Sequence, residues 1–121
     1  MLNKILIIDD SVDIQILLRT FLESNGYQID CASDGAEALH LLNEATTLPD
    51  LILIDYQMPN MNGLEFLEQT VNNFRLKKIP TLLMSGEDIT FDSKKMTNVI
   101  NILKKPLSTS TLLEIILDIL N

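Results

Sequence analysis

Short apolar runs alternate along this chain with longer amphipathic stretches. Residues 4–8, 51–54, 81–84 and 99–103 are β-branched or leucine-rich without strict alternation, the pattern of strands buried on both faces. Between them the apolar positions follow a helical period. Ile14, Leu17, Leu18, Phe21 and Leu22 define one helical face, with Ser11 as N-cap and Asn25-Gly26 as the stop. Residues 27–32 alternate weakly and read as a strand nearer an edge, after which Asp34-Gly35 turns into a helix carrying Ala36, Leu39 and Leu42. The turn formers of 58–63 lead to a helix with Leu64, Leu67, Val71 and Phe74 on one side. Residues 87–98 are polar and predict a brief or irregular fourth helix, and Ser108 caps a last helix running to about Leu120. The pattern thus predicts five strands and five helices in alternation.

No linker, repeat or low-complexity segment breaks that series, so one domain over 1–121 is expected. Alternating strands and helices favour a parallel sheet covered on both faces, and a closed eight-unit barrel would need about 250 residues. An open three-layer α/β sandwich follows. The 46% hydrophobic composition excludes a disordered chain, and the single Cys31 excludes a disulfide scaffold. With neither a signal-like leader nor an apolar stretch of about 20 residues, the expectation is a cytoplasmic protein that does not enter a membrane. A formal net charge of −8 argues against direct contact with nucleic acid.

The apolar runs share one more property: Asp9-Asp10, Asp55, Ser85 and Lys104-Lys105-Pro106 stand at their ends. In a parallel sheet those ends gather along one edge, where open α/β folds hold their ligands. Three aspartates brought together repel strongly and call for a cation. A sparse acidic cluster suits Mg²⁺, which keeps several waters and accepts phosphate oxygens; zinc is disfavoured because His40 and Cys31 are each alone. An ionised aspartate is a competent nucleophile towards phosphorus, with Lys105 and Ser85 as donors to the other oxygens.

Asp9-Asp10, the run Asp55-Tyr56-Gln57-Met58-Pro59 with Gly63, Ser85 and Lys105-Pro106 together resemble the receiver domain of bacterial two-component response regulators. The resemblance covers essentially the whole chain. It implies a flavodoxin-like fold with strand order 2-1-3-4-5, and Asp55 as acceptor of a phosphoryl group from a histidine kinase or phosphotransfer protein. It further implies Mg²⁺ bound by Asp10, Asp55 and the Gln57 main-chain carbonyl, with Asp9 acting through water. Lys105 would pair with the phosphoryl group, and the Ser85 hydroxyl would move towards it after transfer. Such a domain catalyses only its own phosphorylation and dephosphorylation.

The family resembled usually carries Tyr or Phe where this chain has Ile102, so by that resemblance the aromatic half of the Ser85 switch is missing; isoleucine is short and stiff about χ1. On the last helix, Leu112, Ile116 and Ile119 suit the core, while Leu113, Leu117 and Leu120 form a second apolar stripe. That stripe is a candidate homodimer or effector surface, or else packs on the fourth helix. Two rival functions remain at this level: an interaction module that binds without phosphorylation-driven switching, and a metal-dependent phosphatase with an aspartyl intermediate.

Overall fold

The computed structural model describes residues 3–120; residues 1, 2 and 121 lie outside the described part. Its strands are β1 (Lys4–Ile8), β2 (Gln28–Ala32), β3 (Leu51–Asp55), β4 (Thr81–Ser85) and β5 (Val99–Lys104). They alternate with helices α1 (Val12–Ser24), α2 (Gly35–Glu44), α3 (Gly63–Val71) and α4 (Thr109–Leu120). All strand pairs are parallel, and the sheet order is β2-β1-β3-β4-β5.

Side chains alternate across the sheet and build two cores. Ile5, Ile7, Leu51, Leu53, Leu82 and Met84 pack with Leu18 and Leu22 of α1 and Leu112 and Ile116 of α4. Leu6, Ile8, Ile52, Ile54 and Leu83 pack with Ala38 and Leu42 of α2 and Phe66 and Leu67 of α3. β3 and β4 are buried throughout, which explains why their sequences are continuous apolar runs. No helix among the described residues is long and apolar enough to cross a membrane.

Several expectations need correction. The expected fourth helix is absent: 87–98 forms turns, so the described residues hold four helices rather than five. Asp92 shows why, since its Oδ1 accepts from the Lys94 main chain at 3.0 Å, a local bond that competes with helical pairing. Ile89, Phe91 and Met96 still pin the segment to the α2–α3 side, and buried Asn98 donates to Thr70 Oγ1 at 3.1 Å. On α2 the buried small residue is Ala38, while Ala36 is exposed. Leu17 and Phe74, which share the apolar stripes of their helices in the sequence pattern, are 53% and 82% exposed; Phe74 lies beyond the end of α3 with the Lys77 ammonium over its ring.

Caps begin the helices where the sequence placed them. Ser11 accepts from Ile14 N, Asp34 from Glu37 N, and Ser108 Oγ from Thr111 N. At α3, Asn62 and Glu65 form a reciprocal capping box. Gly63, the first residue of α3, donates to Tyr56 O at 2.8 Å. A Cβ there would lie 2.7 Å from Leu83 Cδ1, 3.0 Å from Tyr56 Cα and 3.2 Å from Asp55 O. Two of these neighbours are backbone and cannot yield. Gly63→Ala should therefore lower stability in urea unfolding by about 1–3 kcal/mol, the usual overpacking cost. Gly35→Ala should cost clearly less, because its added methyl meets only the flexible Met61 side chain.

Candidate functional site

Sheet register brings the acidic residues together. Ile8 pairs with Ile54, so the next residue on each chain segment sets Asp9 beside Asp55 at the point where the strand order reverses. Hydrogen bonding continues beyond the strands and fixes the connections that follow. Asp9 N donates to Ala32 O at 3.1 Å, Tyr56 N to Met84 O at 2.8 Å, and Lys105 N to Ser85 O at 2.7 Å. Carboxylate oxygens of Asp9, Asp10 and Asp55 all lie within 4.8 Å of one another, with Asp9 and Asp55 buried and Asp10 exposed.

Lys105 Nζ lies 2.9 Å from Asp55 Oδ1, a single ammonium against three carboxylates. The Lys105-Pro106 peptide is cis. Buried Asp9 receives one hydrogen bond, from Ser11 N to Oδ1 at 2.9 Å, while its Oδ2 has no protein partner. An orphaned buried oxygen beside two further carboxylates, with charge to spare, is a donor set that fits a small hard cation. It would suit neither a neutral ligand nor an anion.

Ser85 is buried next to this cluster, but its hydroxyl is engaged elsewhere: it donates to Glu87 O at 2.8 Å and accepts from Glu87 N at 3.0 Å. Just beyond, Lys104 Nζ contacts Asp88 Oδ1 at 2.6 Å and holds that carboxyl below its ordinary range. Gln57 follows β3 in the connection to α3 with its side chain exposed, and Asn60 in the same loop is left-handed at φ 70°. Asparagine tolerates that conformation better than most residues. Ile102 pairs with Leu83 in the β4–β5 register and packs half-buried on the α2–α3 side. In the last-helix stripe, Leu113 and Leu120 pack partly buried on the α1–α4 core, leaving Leu117 exposed.

One contributor escaped the sequence reading. Gln15 Nε2 donates to the Asp9 carbonyl at 2.6 Å and reaches Ala32 O at 3.4 Å and Ser33 Oγ at 3.3 Å. A polar residue near the start of an amphipathic helix gives no sequence signal of such a role.

Comparison with known proteins agrees with this geometry. Residues 5–117 match the family model of the response regulator receiver domain, and the chain belongs to that family. It is a receiver domain of the two-component type, a module of phosphorylation-based signalling. The chain is 33% identical over 112 residues to Protein PilG of Pseudomonas aeruginosa, covering 91% of this chain and 82% of that protein. It is 36% identical over 90 residues to the transcriptional regulatory protein CpxR homolog of Haemophilus influenzae, covering 73% of this chain and 37% of that protein. Against that relative and the PhoP regulator of Bacillus subtilis, the chain spans little more than a third of their length. Among solved structures, the chemotaxis response regulator CheY4 of Vibrio cholerae superposes with a TM-score of 0.83 at 30% identity, covering 99% of this chain and 100% of that one. TrrA of Thermotoga maritima, solved in complex with Mg²⁺-BeF, gives 0.83 at 26% identity over 98% and 100% of the two chains.

The Asp9 carboxyl is raised above its ordinary value, first by burial and then by the negative charge of Asp55, against the opposing pull of the Ser11 N–H and Lys105. A carboxyl raised in the folded state contributes stability when protonated and loses it as pH climbs through its folded pKa. Charged Asp9 is therefore a net cost in metal-free protein at neutral pH. Asp9→Asn should raise the melting temperature there by a few degrees, the size expected for relieving one buried charge. The gain should vanish in acid, where Asp9 is protonated in both the folded and unfolded states.

Proposed function

We propose that this receiver accepts a phosphoryl group on Asp55 from a phosphohistidine of a histidine kinase or phosphotransfer protein, in a Mg²⁺-dependent reaction. The observation that carries the reading is the Lys105–Asp55 contact at 2.9 Å inside a carboxylate cluster with an orphaned buried oxygen. Asp10, Asp55 and the Gln57 main-chain carbonyl would hold the cation, with Asp9 reaching it through water. When bound, Mg²⁺ supplies positive charge that neutralises the carboxylates and the phosphoryl oxygens. A carboxylate oxygen of Asp55 attacks phosphorus as the phosphorus–nitrogen bond breaks, and the departing imidazole keeps the electron pair. Lys105 moves its ammonium from the free carboxylate to a phosphoryl oxygen, so its charge serves both states. Ser85 can donate to another oxygen once its hydroxyl leaves Glu87. Water later attacks phosphorus, the bond from phosphorus to the Asp55 oxygen breaks and inorganic phosphate leaves, which restores the carboxylate, so the domain turns over only its own modification.

The donor protein must bring its phosphohistidine over this edge. Half-exposed Leu17 on α1 helps line a cavity of about 410 Å³ together with Ile14, Leu18, Met84, Pro106, Leu107 and Leu112, and Val12 and Ile16 are exposed elsewhere on the same helix. Lys105 also borders that cavity. An apolar surface beside the reactive edge fits a partner's helix better than does the last-helix stripe, which retains only Leu117 exposed among its three residues. A homodimer or effector contact through that stripe would need Leu117 to act with neighbours outside it. The reading places the protein in the cytoplasm, where kinase and phosphodonor meet it.

With Mg²⁺ present, beryllofluoride should alter the tyrosine emission of the wild type, and Asp55→Asn should abolish the response. A full response in Asp55→Asn would identify another acceptor. Asp10→Asn should weaken Mg²⁺ binding by at least about tenfold, as losing a ligand exceeds the loss of an outer-shell partner. Leu17→Glu should slow phosphotransfer from the kinase yet leave the rate with a small phosphodonor unchanged. Equal slowing with both donors would place the partner surface elsewhere.

A further inference from the structure

We propose that Gln15 is a positioning residue for the cation, its side-chain amide clamping the turn that carries Asp9 and Asp10 against the repulsion among the three carboxylates. The inference rests on the magnesium reading above. Asp9 and Asp55 are neighbours through the β1–β3 register, but Asp10 is exposed at the solvent side of the cluster. In the absence of a counter-charge, the direction of relief is outward movement of the β1–α1 turn.

Two bonds oppose that movement at the Asp9 peptide units. The Asp9 N–H donates to Ala32 O at 3.1 Å, which ties the turn to β2. The Asp9 carbonyl, immediately before Asp10, accepts from Gln15 Nε2 at 2.6 Å. Gln15 is itself anchored, because its main-chain N–H donates to Ser11 O at 3.0 Å in the first turn of α1. With its reach to Ala32 O and Ser33 Oγ, one amide joins the helix start, the end of β1 and the end of β2.

This role differs from that of a plain strut. A strut supports metal-free and metal-bound protein alike; a clamp against repulsion holds the ligands in the geometry that only the cation rewards. Gln15→Met keeps the length and loses the donor, whereas Gln15→Asn keeps the amide and loses the reach. Mg²⁺ titrations can follow tyrosine emission, since Tyr56 adjoins Asp55 and the chain has no tryptophan. Both variants should raise the Mg²⁺ dissociation constant about tenfold, in the range for outer-shell partners of metal ligands. Their metal-free melting temperatures should change little, while the increment that Mg²⁺ adds shrinks. Unchanged Mg²⁺ affinity in both variants, or an equal loss of melting temperature with and without Mg²⁺, would overturn the proposal. A wild type that ignores Mg²⁺ would instead overturn the magnesium reading itself, and this inference with it.

Discussion

Like charges at the end of the sheet set the terms for the rest of the structure. Asp9 and Asp55 cannot separate by rotating side chains alone, because the β1–β3 ladder fixes their backbones as neighbours. The energy that holds them there comes from the two apolar cores beneath, and burial is what makes the repulsion expensive. Lys105 offsets part of it, leaving excess negative charge for a cation. Gly63 and the capping box at Asn62 perform the matching task on the other side: they let α3 start directly against the end of β3. Stability in the core is thus converted into electrostatic tension at one edge.

What could be read in the sequence follows from how locally each feature is encoded. Continuous apolar runs announced buried strands, and their polar last residues announced the site, because a carboxylate closing a buried strand has few structural excuses. The starts at Ser11 and Ser108 were equally plain, since both cap through their own side chains; Asp34 and Asn62 stood out only as turn formers, and the structure adds their capping bonds. Strand order came from the resemblance, as periodicity carries no information about neighbours. Leu17 and Phe74 misled because helical spacing identifies an apolar stripe without saying where the core beneath it ends. Gln15 was invisible because its shortest bond goes to the backbone carbonyl just after β1 and it also reaches one at the end of β2, groups that any residue type would present.

The missing fourth helix and Ile102 belong to one story. Ser85 is bonded twice to Glu87, so a shift of its hydroxyl towards Asp55 must release both main-chain groups. In this chain the released segment is a set of turns anchored by Ile89, Phe91, Met96 and Asn98, with Asp88 tied to Lys104. Ile102 lies beneath, packed with Leu83, and has no ring to swing. Under the proposed function, a shift of Ser85 would have loop backbone rather than an aromatic side chain to act on. Turns held by a few contacts open at lower free energy than a docked helix.

The outermost strand carries a further consequence. Thr81 pairs with Val99 but Leu82 with Asn101, so Ile100 is an extra residue bulging from β5 and is half exposed. Among the described residues β5 is the last strand on that side, and a straight row of free amides and carbonyls on such an edge would template pairing with other chains. The bulge interrupts the row and increases the local twist. An irregularity near the start of the strand thereby guards a crowded solution against edge-to-edge aggregation, while the far end stays regular enough to present its lysine.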